Sequence, residues 1–169
     1  GKHTLNLLKN SVKLDMFRTV SGARIADELK SMLEEETSGK ALKKLSELGL
    51  LKLIHPSIVW DKEQERLFER ANDALAWYEL LYTKDHAERW LVLLLALTDR
   101  LGEEELALLV KRLVISGRKR LDALSSRNNA LRVLGRMSAG QLRKASALYN
   151  ALNPLEAEHI LYLMAKSER

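Results

Sequence analysis

The chain has 169 residues, 46% of them apolar and 30% charged, with a formal net charge of +5. That balance suits one globular domain or two small ones and is too apolar for a chain disordered throughout. With no cysteine at all, disulfides, thiolate metal sites and cysteine nucleophiles are excluded.

Leucine sets the fold class, with 36 Leu against 7 Val and 5 Ile. Leu and Ala lose little rotamer freedom in helices, whereas strands favour β-branched and aromatic residues. An all-α protein is expected, with about nine helices in an irregular array and no sheet. The longest apolar run, Trp90 to Leu97, is eight residues, too short to span a bilayer. No stretch matches a secretory signal, so no membrane partner and a cytoplasmic location are expected.

In chain order, Leu5, Leu8, Val12 and Met16 predict a helix over 4–17. Ile25, Leu29, Met32 and Leu33 predict one over 22–36, broken by Ser38-Gly39. Leu42, Leu45 and Leu48 mark a third that stops at Gly49, a left-handed cap. Leu50 to Ile54 is a short buried turn ended by His55-Pro56. Asp61 and Gln64 form a capping box for a helix whose face is Leu67, Ala71, Leu75, Tyr78 and Leu81.

Asp85 and Glu88 form a second box, before the all-apolar Trp90–Leu97, the expected central core helix. Gly102 ends it, and Leu106, Leu109, Val110 and Leu113 mark the next. One helix is predicted over 118–137. Ser138 to Gln141 reads as a box before a helix bearing Leu142, Ala145 and Leu148. Asn153-Pro154-Leu155-Glu156 reads as a strong helix start. Trp60, Trp77 and Trp90 are expected in the core or at its boundary. His3, His55, His86 and His159 are scattered, and no metal site is expected. His55 should shape a turn, and the runs Glu34–Glu36 and Glu103–Glu105 should be solvated helix ends.

Charge is uneven. Residues 1–108 carry a net −3, and residues 109–169 a net +8. The basic third has the electrostatic footprint expected for a polyanion. Its candidate contacts are Lys111, Arg112, Arg118, Lys119, Arg120, Arg132, Arg136, Arg143 and Lys144. At about 100° per residue, Leu121, Leu124, Leu131 and Leu134 of a single helix over 118–137 fall in one arc of roughly 140°. Arg118, Arg132 and Arg136 fall together beside it, with Ser125 and Asn129 between, as a stripe suited to phosphates and ribose hydroxyls.

One segment is more specific. Val20-Ser21-Gly22-Ala23-Arg24-Ile25-Ala26-Asp27-Glu28-Leu29 is followed by Ala41 to Leu51, ending Glu47-Leu48-Gly49-Leu50-Leu51, and by Ile54-His55-Pro56. Over residues 10–56 the sequence resembles the helical part of bacterial tRNA nucleotidyltransferases and poly(A) polymerases, the A-adding and CCA-adding enzymes. Lys13 to Phe17 resembles the long A-adding variety, and Leu161 to Ala165 resembles the stretch ahead of the family's tail. The resemblance makes Ser21, Arg24 and Glu28 part of a neck motif that shapes the nucleotide pocket from beneath. From the residues alone, Ser21 caps a helix and Arg24 pairs with Glu28 one turn on.

The resemblance implies a neck-like segment over 1–60 and a body-like RNA-binding segment over 61–169, within one helical unit. The implied role is to bind and position tRNA, or another RNA 3′ end, for addition of A or CCA. The family's metal-binding Asp-x-Asp strand, its Glu-Asp-x-x-Arg nucleotide reader and its tail element have no counterpart here. The sequence is therefore expected to be a fragment, inactive alone and partnered by the rest of its parent polypeptide. Mg²⁺ and ATP or CTP are expected on a catalytic head upstream, and no cofactor on this chain. The alternative is a helical protein–protein interaction module with an apolar groove.

Overall fold

The computed structural model describes residues 21–82 and 86–167. The described residues form nine α-helices and one 3₁₀ turn, with no strand. The helices are α1 (Gly22–Glu34), α2 (Ser38–Glu47), α3 (Lys62–Glu79), α4 (Arg89–Leu97), α5 (Glu103–Arg112), α6 (Arg118–Ser125), α7 (Arg127–Ser138), α8 (Ala145–Leu152) and α9 (Ala157–Ser167). The 3₁₀ turn, Leu50–Leu53, joins α2 to the chain leading into α3. No helix among the described residues is long and apolar enough to cross a membrane.

The apolar Trp90–Leu97 run is the central element. Every residue of α4 from Trp90 to Leu97 is buried. The helices α1, α3 and α9 pack around it, α7 leans on α9, and α8 touches α7 at the periphery. One apolar cluster runs continuously from Leu29 to Ala165. Each leucine fully buried there contributes roughly 1.5–3 kcal/mol relative to exposure.

A helix buried on all sides must also satisfy the carbonyls at its C-terminal end. Gln64 Nε2 donates to the Ala96 carbonyl at 2.7 Å, and Thr98 Oγ1 to the Leu94 carbonyl at 2.7 Å. Arg127, 1% exposed, donates to the Thr98 carbonyl at 2.6 Å and the Leu101 carbonyl at 2.5 Å. At the other end, the Glu88 amide donates to Glu158 Oε1 at 3.0 Å. Tyr162 donates to Asp99, which also takes Lys166 Nζ at 2.6 Å. Burial foremost, then Asp99, pushes the Tyr162 phenol far above its ordinary pKa and keeps it a donor.

Several expected boundaries hold. Ser21 Oγ accepts from the Arg24 amide at 3.3 Å, capping α1. Gly49 has φ 73°, which explains the stop after α2. His55 Nδ1 accepts from the Ser57 amide at 3.2 Å and shapes that turn. Asp61 Oδ1 accepts from the Gln64 amide at 2.8 Å.

The expected helix over 4–17 and Asp85 of the second box lie outside the described residues. Other expectations are corrected. Ser38 begins α2, and the chain turns at residues 35–37 instead. The Gln64 side chain does not return to Asp61 but serves the core helix. Glu88 makes no side-chain cap, and its carboxylate takes Trp90 Nε1 at 2.9 Å. α4 ends at Leu97, and Gly102 instead precedes α5, its amide donating to Glu105 Oε2 at 2.9 Å. Trp90 is buried and Trp60 lies edge-to-face on Phe68 at 5.2 Å, but Trp77 is 48% exposed. Leu81, expected on the inner face of α3, is exposed.

The single helix over 118–137 is two helices, divided at Ser126. The division falls where His159 takes part in the packing. Its Nδ1 accepts from the Glu156 amide at 3.1 Å, so Nε2 donates to the Ala123 carbonyl at 2.7 Å. Ser138–Gln141 ends a helix rather than starting one. Gly140, at φ 67°, donates its amide to the Met137 carbonyl at 2.9 Å, and Gln141 donates to the Arg136 carbonyl at 2.9 Å. Those two bonds are a Schellman stop. Asn153 stays helical and closes α8, its amide on the Tyr149 carbonyl at 2.8 Å. α9 therefore starts only at Ala157.

The Asp61 cap gives a pH-dependent expectation. The hydrogen bond from Arg100 first, and the Gln64 amide second, hold its carboxyl below the ordinary value of 3.8. A depressed folded pKa means stability present above 3.8 and lost as pH falls through the lower folded value. Asp61→Ala is expected to cost about 1 kcal/mol at neutral pH, with the deficit shrinking in strong acid. Urea midpoints across a pH series check this; a deficit unchanged by pH contradicts it.

Candidate nucleic-acid interface

The neck-like residues sit on a tight junction. Ser21 and Gly22 open α1, and the first turn of α1 meets the last turn of α5. A Cβ at Gly22 would stand 1.7 Å from the Arg112 carbonyl oxygen. Arg112 Nη1 reaches back to the Ile54 carbonyl at 3.1 Å. Arg112 thus ties together the two parts of the recognised pattern, the Ser21–Leu29 start and the Ile54-His55-Pro56 turn. Arg24 and Glu28 are both exposed, and no ion pair joins them among the described residues. Gly22→Ala is expected to destabilise the chain by about 2 kcal/mol, because one of two backbones must move. Thermal unfolding measures this; an unchanged midpoint would mean that α1 and α5 do not meet so closely.

The basic residues divide into two groups. In the first, the cation is held by a group distant in the chain. Arg120 Nε meets Glu88 Oε2 at 2.9 Å and its guanidinium lies 5.6 Å from the Trp90 ring centroid. Lys30 Nζ also lies 5.6 Å from that centroid, so both cations approach the same indole. Arg112 is occupied by Ile54. Arg127, not singled out from the sequence, lies in the core. Arg118 stands outside both groups, exposed on α6 and 3.8 Å from Asp122 Oδ2.

The second group is exposed. Arg132 and Arg136 lie one turn apart on α7, with Arg132 Nε 3.4 Å from the Asn128 carbonyl. Arg143 and Lys144 lead into α8, and Arg143 Nε donates to the Gly140 carbonyl at 3.0 Å. The Schellman bonds hold Arg136 and Gln141 across one turn, so Arg136 and Arg143 flank the same Gly140 corner. Lys111, Arg136 and Lys144 make no ion pair among the described residues. The expected stripe of Arg118, Arg132 and Arg136 on one continuous helix does not exist, because the break at Ser126 puts Arg118 on a separate helix. Among the described residues no group of three or more His, Asp or Glu is placed to hold a metal ion.

The sequence reading missed Arg127 and Gln64 as structural donors. An arginine among exposed ones carries no local signal of burial. The capping pattern around Asp61 already accounted for Gln64.

Comparison with known proteins bears on this surface. Residues 14–60 match the family model described as the probable RNA- and SrmB-binding site of polymerase A. The whole chain is 34% identical over 171 residues to an A-adding tRNA nucleotidyltransferase of Geobacter sulfurreducens, covering 99% of this chain and 19% of that enzyme. The fold matches a tRNA-processing enzyme with TM-score 0.80 at 21% identity, over 99% of this chain and 45% of the other. It also matches the Thermotoga maritima CCA-adding enzyme solved in complex with tRNA, with TM-score 0.73 at 20% identity, over 96% of this chain and 38% of the other. The chain thus spans about a fifth of the curated relative and less than half of the solved ones. The structural likenesses establish a shared fold.

Proposed function

We propose that this chain is a helical region of a tRNA nucleotidyltransferase or poly(A) polymerase, and that it binds and positions RNA for a template-independent enzyme adding A or CCA to tRNA 3′ ends. Residues 1–60 would serve as the neck-like segment and 61–169 as the body-like RNA-binding segment. The observation that carries this reading is the exposed cationic corner of α7 and α8, formed by Arg132, Arg136, Arg143 and Lys144. A relative of the same fold is solved in complex with tRNA, which supports RNA as the ligand.

Phosphate contacts dominate such binding, and RNA helices offer shape more than sequence to read. Little sequence preference is therefore expected. Ser21, Arg24 and Glu28 would act beneath the nucleotide pocket of the parent enzyme. Mg²⁺ and ATP or CTP would be held by another part of that enzyme. The cytoplasm, where tRNA is processed, is the compartment this reading requires.

Titrating labelled tRNA against the chain at several salt concentrations tests the reading. Affinity should fall steeply as salt rises. Absence of binding at low salt would refute it. A second reading, a protein-interaction module, draws on one observation: Trp77, Leu80 and Tyr82 are 48, 69 and 89% exposed at the end of α3.

A further inference from the structure

The helix α8 is unusual in that none of its residues is buried. The segment entering it is anchored by Leu142, and its outward positions Ser146, Tyr149, Asn150 and Asn153 are exposed, uncharged and polar. Tyr149 is 66% exposed, and its hydroxyl has no partner among the described residues. Its inner face, Ala147, Leu148, Ala151 and Leu152, is only half-buried, so the helix contributes little to the core.

What surrounds Tyr149 selects the ligand class. From Asp122 to Glu156 the intervening 33 residues contain no Asp or Glu. Arg143 and Lys144 enter α8 five to six residues before Tyr149 in the chain. The Schellman corner holds Arg136 beside that same entry. The other strongly exposed aromatics, Trp77 and Tyr82, flank Glu79 and follow Asp73 on α3, a setting that repels phosphate. Tyr149 therefore combines an open ring face, flanking cations and no nearby acid in its own stretch of chain.

Resting on the RNA-binding reading above, the geometry points to Tyr149 as a stacking platform for an unpaired or helix-terminal RNA base. Arg143 and Lys144 would hold the adjoining phosphates, and Asn150 and Asn153 would offer hydrogen bonds to the ribose or base edge. Stacking accepts any base, in keeping with recognition that depends little on sequence.

Labelled tRNA is titrated against the full 169-residue chain and against Tyr149→Ala and Tyr149→Phe. Alanine, the best helix former, leaves α8 able to form, and circular dichroism verifies it. Tyr149→Ala should weaken binding roughly 5- to 150-fold, the range for loss of one stacked base. The slope of affinity against salt should stay as in the unaltered chain, because no charge is removed. Tyr149→Phe keeps the ring and should bind within about twofold. Unchanged affinity in Tyr149→Ala overturns the proposal while leaving RNA binding intact. An equal loss in Tyr149→Phe also overturns it, assigning the contact to the hydroxyl. If the unaltered chain binds no RNA, both this proposal and the functional reading fall.

Discussion

Arg127→Met should lower the stability of the fold by about 2–4 kcal/mol, the largest single-residue effect expected outside the apolar core. Methionine keeps length and volume, so little cavity forms. What is lost is the pair of bonds to the Thr98 and Leu101 carbonyls, at 2.6 and 2.5 Å. The Thr98 carbonyl keeps the Leu101 amide at 3.0 Å, but the Leu101 carbonyl stays buried without a donor, at a cost of about 1–3 kcal/mol. Relief from burying a guanidinium offsets part of that, because desolvating an ion is itself unfavourable. The balance remains destabilising because the acceptors are backbone groups that the substitution cannot remove. The cation also sits at the C-terminal end of α4, where the helix dipole favours it. Arg127→Lys should fall between the two, with one ammonium replacing a two-pronged fork. Urea unfolding followed by circular dichroism gives the difference; a midpoint equal to the unaltered chain would show that other donors replace Arg127.

The second large effect concerns RNA. Replacing Arg132, Arg136, Arg143 and Lys144 together by glutamine removes four positive charges and keeps polarity. Each phosphate contact contributes about 0.7–0.9 to the slope of log affinity against log salt. If all four touch phosphate, the slope should decrease by about 3. Near 1 M salt the advantage vanishes, so at 0.1 M the affinity should fall by roughly 10³-fold. All four side chains are exposed and none packs in the core, so the unfolding midpoint should hardly change. The same substitution at Arg112 and Arg120 should act differently. Their guanidiniums serve Ile54 and Glu88, so stability should suffer more than the salt slope.

The sequence made the core legible because one helix announced itself. Eight apolar residues in a row at Trp90–Leu97 can only be buried on all sides in a water-soluble helix, and they are. Gly49 and Ser21 were equally readable, since a left-handed stop and a hydroxyl cap depend on neighbours within one turn. The errors came where distant residues decide. The periodicity over 118–137 is continuous, yet His159, 36 positions beyond Ala123, takes the carbonyl at the division. Ser138 to Gln141 satisfies a start pattern and a stop pattern alike, and only the position of Leu142 in the fold chooses between them. Gln64 and Arg127 bind carbonyls 32 and 26–29 residues away. No local pattern encodes such reach.

The interface was half legible for a related reason. Net charge located the basic third, and contacts with residues distant in the chain then sorted its members. Arg132, Arg136, Arg143 and Lys144 face solvent, while Arg112, Arg120 and Arg127 hold the protein together. Charge counted along a sequence gives both groups equal weight.

Hydrogen–deuterium exchange of the chain with and without tRNA tests the central claim most directly, since it locates the contact without any substitution. Protection should appear over 132–150, spanning α7, the Gly140 corner and α8, and should fade as salt is raised. Protection confined to the exposed end of α3 around Trp77 and Tyr82, with 132–150 unchanged, would contradict it.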